Sequence, residues 1–246
     1  MSGHSKWSTI KRKKAANDAK RGKIFTKLIK ELTIAARQGG GDPEANPRLR
    51  LAVDNAKAAN MPINNIERAI KKATGELEGV VFHELLYEGY GPGGAAVIVE
   101  VATDNKNRTV AEVRHHFSKH GGNLGENGSV AWMFERRGVV TLKRDGKDEE
   151  EAMETAVEAG ADDFETDEEF FEVRTSLEEF ENVRRALDAA GYEIENASLQ
   201  WIAKNTTTVA GDDAEKFLKM TEALEDSDDV QNVYSNADLE IDEGGE

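Results

Sequence analysis

Hydrophobic positions in the first third of this chain recur at helical spacing. Ile24, Phe25, Leu28, Ile29, Leu32, Ala35 and Ala36 share one side of a helix over Gly22 to Gln38, with Lys23, Lys27 and Lys30 on the opposite side. Gly39-Gly40-Gly41 ends it. Asn46-Pro47 supplies a cap and a first-turn proline for a second helix to about Ala59, whose face is Leu49, Ala52, Val53 and Ala56. Pro62 opens a third helix with the stripe Ile63, Ile66, Ile70 and Ala73, and Gly75 suits its C-terminal cap. Three short helices with tight connections predict a small bundle.

From Phe82 the period shortens to that of strands. HELLYEGY and AAVIVEVAT, joined by Gly91-Pro92-Gly93-Gly94, predict a hairpin. A helix Arg108 to Lys119, capped by Asn107 or Asp104 and stopped by Gly121-Gly122, precedes a strand Ser129 to Glu135. Then come strand Gly138 to Lys143, helix Asp148 to Ala159, strands near Asp163 to Thr166 and Glu169 to Thr175, helix Leu177 to Ala190 and strand Glu193 to Ile202. That order is βαββαβ, the ferredoxin-like pattern. Strand Thr206 to Val209, helix Asp213 to Leu224 and strand Val230 to Tyr234 supply the pieces that the earlier α+β unit lacks. The expected fold class is therefore α+β in three domains. A basic helical domain covers 1–78, a discontinuous α+β domain 79–137 plus 205–246, and an acidic ferredoxin-like domain 138–204 is inserted in it. The tail Asp238 to Glu246 reads as frayed.

Charge changes this picture. Met1 to Gln38 holds eleven Lys or Arg against two acids, a charge of +9 in a chain of 246 residues whose net charge is −16. Asp145 to Gln200 holds twenty acids and four bases. Unbalanced like charge repels itself unless a polyanion or an acidic surface compensates it, and nucleic acid is the commonest such partner. The acidic block repels phosphate over about 8 Å at physiological salt, so nucleic acid is expected at the other end and a basic protein at the acidic domain. No run reaches the roughly 18 apolar residues of a membrane span, and the N-terminus lacks a secretory core, although its basic composition also resembles a transit peptide. With no cysteine there is no thiolate chemistry, and a cytoplasmic setting is expected.

The candidate nucleic-acid contacts are Lys6, Trp7, Lys11, Arg12, Lys13, Lys14, Lys20, Arg21, Lys23 and Lys27, with Trp7 able to stack on an unpaired base. An isolated KRKK is often only a solvated charge run, but here the density persists for over thirty residues. Arg48, Arg50, Arg68, Lys71 and Lys72 could extend a phosphate-tracking face, and no helix presents an obvious base-reading set, so DNA and RNA fit equally. Gly89, Gly91 and Gly94 match G-x-G-x-x-G, yet a strand rather than a helix follows, so the glycines read as a turn needing positive φ and no nucleotide cofactor is expected. Glu112, His116 and His120 share a helix face, but one helix alone seldom makes a zinc site. The expectation is no metal, with surface histidines beside Arg108 and Lys119 as a second phosphate contact. No nucleophile–base set stands out, so no catalytic residue and no enzyme are expected.

Three stretches carry a resemblance: SGHSKWSTIKRKKAANDAKRGKIFTKLIKEL, NPRLRLAVDNAKAANMPINNIERAIKKA, and YEGYGPGG with TDNKNRTVAEVRHHFSKHGGNLGENGSVAWMF. Together they resemble the YebC family of probable transcriptional regulatory proteins over essentially the full length. The resemblance implies a cytoplasmic bacterial protein with a helical N-terminal domain, two α+β domains and DNA binding in transcriptional control. It carries no catalytic residues, and its basic motif falls on Lys6, Trp7, Lys11 to Lys14, Lys20 and Arg21. Related mitochondrial members are described as activators of translation, and a ribosome-associated role has been proposed for bacterial ones. RNA, including ribosomal RNA, therefore stays open as the partner.

Overall fold

The structure, a computed structural model, describes residues 18–240. Helices α1 (Asp18–Gly39), α2 (Pro47–Ala58) and α3 (Ile63–Thr74) form the N-terminal bundle. The Asn46 side chain accepts from the Leu49 N–H at 3.1 Å, and Pro47 sits in the first turn of α2, where a missing N–H costs nothing. α3 stops at Gly75, whose φ of 88° lies in the left-handed region that favours glycine. Leu32, Ala35 and Ala36 of α1 meet Leu49, Ala52 and Ala56 of α2 and Ile66, Ala69 and Ala73 of α3, closing one apolar core.

Strands β1 (His83–Tyr90) and β2 (Ala96–Thr103) pair antiparallel through a glycine turn in which Gly93 and Gly94 have φ of 72° and 77°. Helix α4 (Lys106–Lys119) is capped by Asn105, not by Asn107 or Asp104, because the Asn105 side chain is the one that accepts from the Arg108 N–H, at 3.1 Å. The two-residue strand β3 (Asn123–Leu124), too short for a hydropathy signal, pairs with the outer edge of β1. β9 (Val230–Ser235) pairs antiparallel with β2, so the first sheet runs β3-β1-β2-β9. Helix α7 (Gly211–Asp226) lays Phe217, Met220 and Leu224 against Val97, Val99 and Val101 of that sheet, beside Val113 and Phe117 of α4.

Between these elements the chain builds a second sheet. It comprises β4 (Phe134–Lys143), α5 (Glu149–Glu158), β5 (Asp163–Thr166), β6 (Phe170–Thr175), α6 (Phe180–Ala189) and β7 (Ile194–Ala203). Its strand order is β5-β6-β4-β7 with every pair antiparallel, the ferredoxin-like arrangement, inserted within the first α+β unit. α5 and α6 cover it around Phe171, Val173, Val183 and Leu187.

Two expectations are corrected. Ser129 to Glu135 is not a separate strand: Ala131–Met133 is a short 3-10 turn, and β4 starts at Phe134 and runs unbroken to Lys143. The apolar alternation that suggested a strand has another cause, since Val130 and Phe134 plug the far face of the first sheet at Ala96 and Ile98 while Trp132 points outward. Of the tail expected to fray from Asp238, residues 241–246 lie outside the described residues, and Asp238 to Glu240 are ordered in a strand. β10 (Ala237–Glu240) pairs parallel with β8 (Thr207–Ala210), burying Ala237 and Leu239 and leaving Glu240 exposed.

Polar contacts join these parts. Glu100 of β2 accepts from Arg136 at 2.6 Å, Trp201 at 3.1 Å, Asn232 at 3.0 Å and Tyr234 at 3.1 Å, tying both sheets to one carboxylate. The bundle reaches the inserted unit too. The Asn55 side chain donates to the Ala197 carbonyl of β7 at 2.8 Å, and Arg184 of α6 meets Asp54 at 3.1 Å.

Candidate nucleic-acid interface

A cation is available to phosphate only if the fold has not already given it an acceptor. Lys6, Trp7, Lys11, Arg12, Lys13 and Lys14 lie outside the described residues, and Lys20 and Arg21 fall in the first turn of α1 with side chains outside the description. Lys23, Lys27 and Lys30 stand at successive turns of α1, and all three turn toward the connection between α7 and β9. Lys23 pairs with Asp226 at 2.8 Å, and Lys27 donates to the Glu225 carbonyl at 3.1 Å. Lys30 is buried, 6% exposed, and donates to the carbonyls of Ala102 at 3.0 Å and Asp228 at 2.6 Å and to the Asp229 carboxylate at 2.8 Å. A stripe that reads as a cationic face is thus a docking seam. A phosphate at Lys23 or Lys27 must compete with these acceptors.

Asp229 anchors the seam. Its second oxygen accepts from Thr103 at 3.0 Å, Arg108 at 2.7 Å and Thr109 at 2.7 Å. Burial alone would raise this carboxyl, but the hydrogen bonds from Arg108, Lys30 and Thr109 outweigh it and hold the group far below the usual carboxylate range. Arg108, expected beside the histidines as a phosphate contact, is instead shared between Asp229 and Asp104, the latter at 2.8 Å.

Arg48 and Arg50 are likewise spoken for. Arg48 grips Glu31 through two parallel bonds of 2.8 and 2.9 Å and reaches Glu84 of β1 at 2.5 Å. Burial would lower its pKa, but these two carboxylates raise it above its ordinary value. Arg50 lies 3.8 Å from Glu181 and donates to the Glu44 carbonyl at 3.2 Å. Their geometry is that of interdomain clamps.

What remains open is α3. Arg68, Lys71 and Lys72 are exposed and make no ion pair with another described residue, while Ile66, Ala69 and Ala73 of the same helix are buried. Asn64 and Asn65 are also exposed at its start. A second cationic surface follows α4, where Arg114 and Lys119 are exposed with His115 between them. The His120 imidazole is pushed down first by burial and then by the nearby Lys119, with smaller contributions from His116, Lys219 and His115. Glu112 and His116 are 3.7 Å apart, and among the described residues no three or more His, Asp or Glu side chains gather as metal ligands. At the glycine turn, a Cβ on Gly89 would meet the Asn123 carbonyl at 2.5 Å and one on Gly91 the Phe217 ring at 2.7 Å. Those two glycines allow close packing rather than a phosphate cradle. Sequence reasoning missed Tyr90 and Trp132 as surface features: Trp132 is 67% exposed, the highest value among the described large hydrophobics.

Comparison with known proteins matches residues 5–76 to the TACO1/YebC protein N-terminal domain and residues 82–237 to the TACO1/YebC second and third domain. A probable transcriptional regulatory protein of Desulfatibacillum aliphaticivorans is 58% identical over 246 residues, the whole of both chains. One of Geobacter sulfurreducens is 59% identical over 99% of this chain and 98% of its own. The crystal structure of a conserved hypothetical protein, Aq1575, from Aquifex aeolicus is similar with a TM-score of 0.87 and 48% identity, covering 93% of this chain and 95% of that one.

Proposed function

Because this chain belongs to the TACO1/YebC family, we propose that it is a non-enzymatic cytoplasmic regulator that holds nucleic acid through its basic N-terminal arm. DNA in transcriptional control is the target that the relatives' names favour. The observation that carries this reading is the separation of charge. The first 38 residues hold +9, the described bundle adds exposed Arg68, Lys71 and Lys72, and the acids concentrate in the inserted sheet. In this reading Lys6, Lys11, Arg12, Lys13, Lys14, Lys20 and Arg21 contact phosphate and Trp7 stacks or packs beside them, with Lys23 and Lys27 at the margin where the arm meets the seam. The functional division follows 1–78, 79–137 with 205–246, and 138–204, the last offering its acidic face to a basic protein. Among the described residues no helix is long and apolar enough to cross a membrane.

The test is the salt dependence of duplex DNA binding. Six to ten phosphate contacts lower affinity by roughly 10³- to 10⁵-fold between about 50 and 200 mM salt. Replacing Lys11, Arg12, Lys13 and Lys14 together by Ala should weaken binding almost equally for all sequences and reduce the salt slope by about 3 to 4. Unchanged binding would remove the arm from the account.

An RNA-associated role in translation is favoured by a different observation. The open cations lie on α3 and around α4, and the surface also carries exposed aromatic rings, a mixture suited to folded RNA with unpaired bases. Parallel binding to duplex DNA and to ribosomes at physiological salt separates the two readings.

A further inference from the structure

A tryptophan left two-thirds in water forgoes the burial that usually stabilises so large a side chain. Trp132 is nevertheless held in a fixed place. The loop before it is pinned by Glu88 of β1, a carboxylate on a residue only 4% exposed, which accepts from the N–H groups of Gly128, Val130 and Ala131 at 2.6, 2.8 and 2.7 Å. The Gly125 N–H donates to the Glu88 carbonyl at 2.8 Å. Burial would raise the Glu88 carboxyl, but the three N–H bonds outweigh it and keep the group ionised at neutral pH.

Two aromatic side chains converge on one carbonyl of this loop. The indole N–H of Trp132 donates to the Ser129 carbonyl at 3.1 Å, and the Tyr90 hydroxyl donates to the same oxygen at 3.2 Å. Tyr90 is 37% exposed. Both polar tips are satisfied inside the protein, so what faces solvent is ring surface. Lys204 donates to the Trp132 carbonyl at 2.9 Å, which stations an ammonium group at the backbone of the residue that carries the indole. Flat π surface next to a cation is the chemistry that takes up unpaired bases, since every base has a π face. Bases inside a duplex cannot reach it, because their faces are already stacked.

We propose that Tyr90, Trp132 and Lys204 form a stacking platform for unpaired nucleobases of single-stranded nucleic acid. The proposal rests on the reading of the chain as nucleic-acid-binding and gives it a second contact, distinct from the arm. RNA and DNA both offer such bases, and the test separates them.

Full-length protein is titrated with labelled oligoadenylate of about a dozen nucleotides, as RNA and as DNA, and with a duplex of the same length. Trp132→Ala should weaken binding to the preferred single strand about 5- to 100-fold and leave duplex binding within about twofold. Trp132→Phe, which keeps a ring, should restore most of the loss. Because the side chain is exposed, unfolding curves of both variants should overlay the parent's. The proposal is overturned if Trp132→Ala binds both single strands as the parent does, as it would if the rings served a protein contact. It is equally overturned if single strands and duplex are lost together. The four-residue arm variant serves as the reference. If it changes nothing while Trp132→Ala remains selective, the arm reading fails and the platform stands; the opposite pattern removes the platform and keeps the arm.

Discussion

The lysines of α1 and the basic residues of α3 look alike in sequence, each a set of cations opposite an apolar stripe, yet the fold treats them in opposite ways. Lys23, Lys27 and Lys30 reach acceptors about two hundred positions later in the chain, whereas Arg68, Lys71 and Lys72 reach solvent. Net charge therefore overstates the phosphate-binding surface. In the described bundle, the cations nearest the arm are partly consumed in fastening α1 to the α7–β9 connection.

The sharpest way to break this contrast is Lys30→Ala. It removes the ammonium from a buried carboxylate, and losing one partner of such a pair costs about 3–5 kcal/mol. Urea unfolding should show this; a loss below about 1 kcal/mol would mean that the seam is not structural. Acid should come next. The Asp229 carboxyl is depressed in the folded state, so the unfolded chain binds its proton more readily and stability rises with pH through this range. The contribution is present above the ordinary carboxylate value of about 3.9 and is lost as pH falls below it toward the folded value. Asp229→Asn should flatten that acid limb in a pH series of melting temperatures, even though the variant starts less stable.

On the other side of the contrast, Arg68, Lys71 and Lys72 replaced together by Ala should move stability by no more than about 0.5 kcal/mol per residue while weakening nucleic acid about tenfold and reducing the salt slope by about 2 to 3. Anisotropy titrations at several salt concentrations check it. The smallest effect belongs to Lys23→Ala, whose partner Asp226 is 74% exposed. An open pair of this kind contributes about 0–1 kcal/mol, to be measured in the same urea series.

Local signals carried much of the fold. Asn46, Pro47 and Gly75 punctuate α2 and α3 where capping chemistry puts them, and the period-2 and period-3.6 stretches order the inserted sheet as βαββαβ. The failures share a cause. Val130 and Phe134 alternate because a sheet face needs plugging, not because they form a strand, and Leu239 is buried by a partner, β8, that no short window contains. The candidate site was less legible still. Whether Lys30 is a surface charge or a buried anchor depends on Asp229, and whether Trp132 is core or surface depends on Glu88 holding the loop that carries it.

The seam at Lys30 has a practical meaning for dissection. Cutting the chain after Gly75 to isolate a phosphate-binding piece would strand Asp229 without its ammonium and strip Asn55 from the rim of β7, so the severed remainder would report on its own unfolding. The helices at the front serve as a keystone wedged between two sheets, and point substitutions rather than truncations are the tools that can tell grip from architecture.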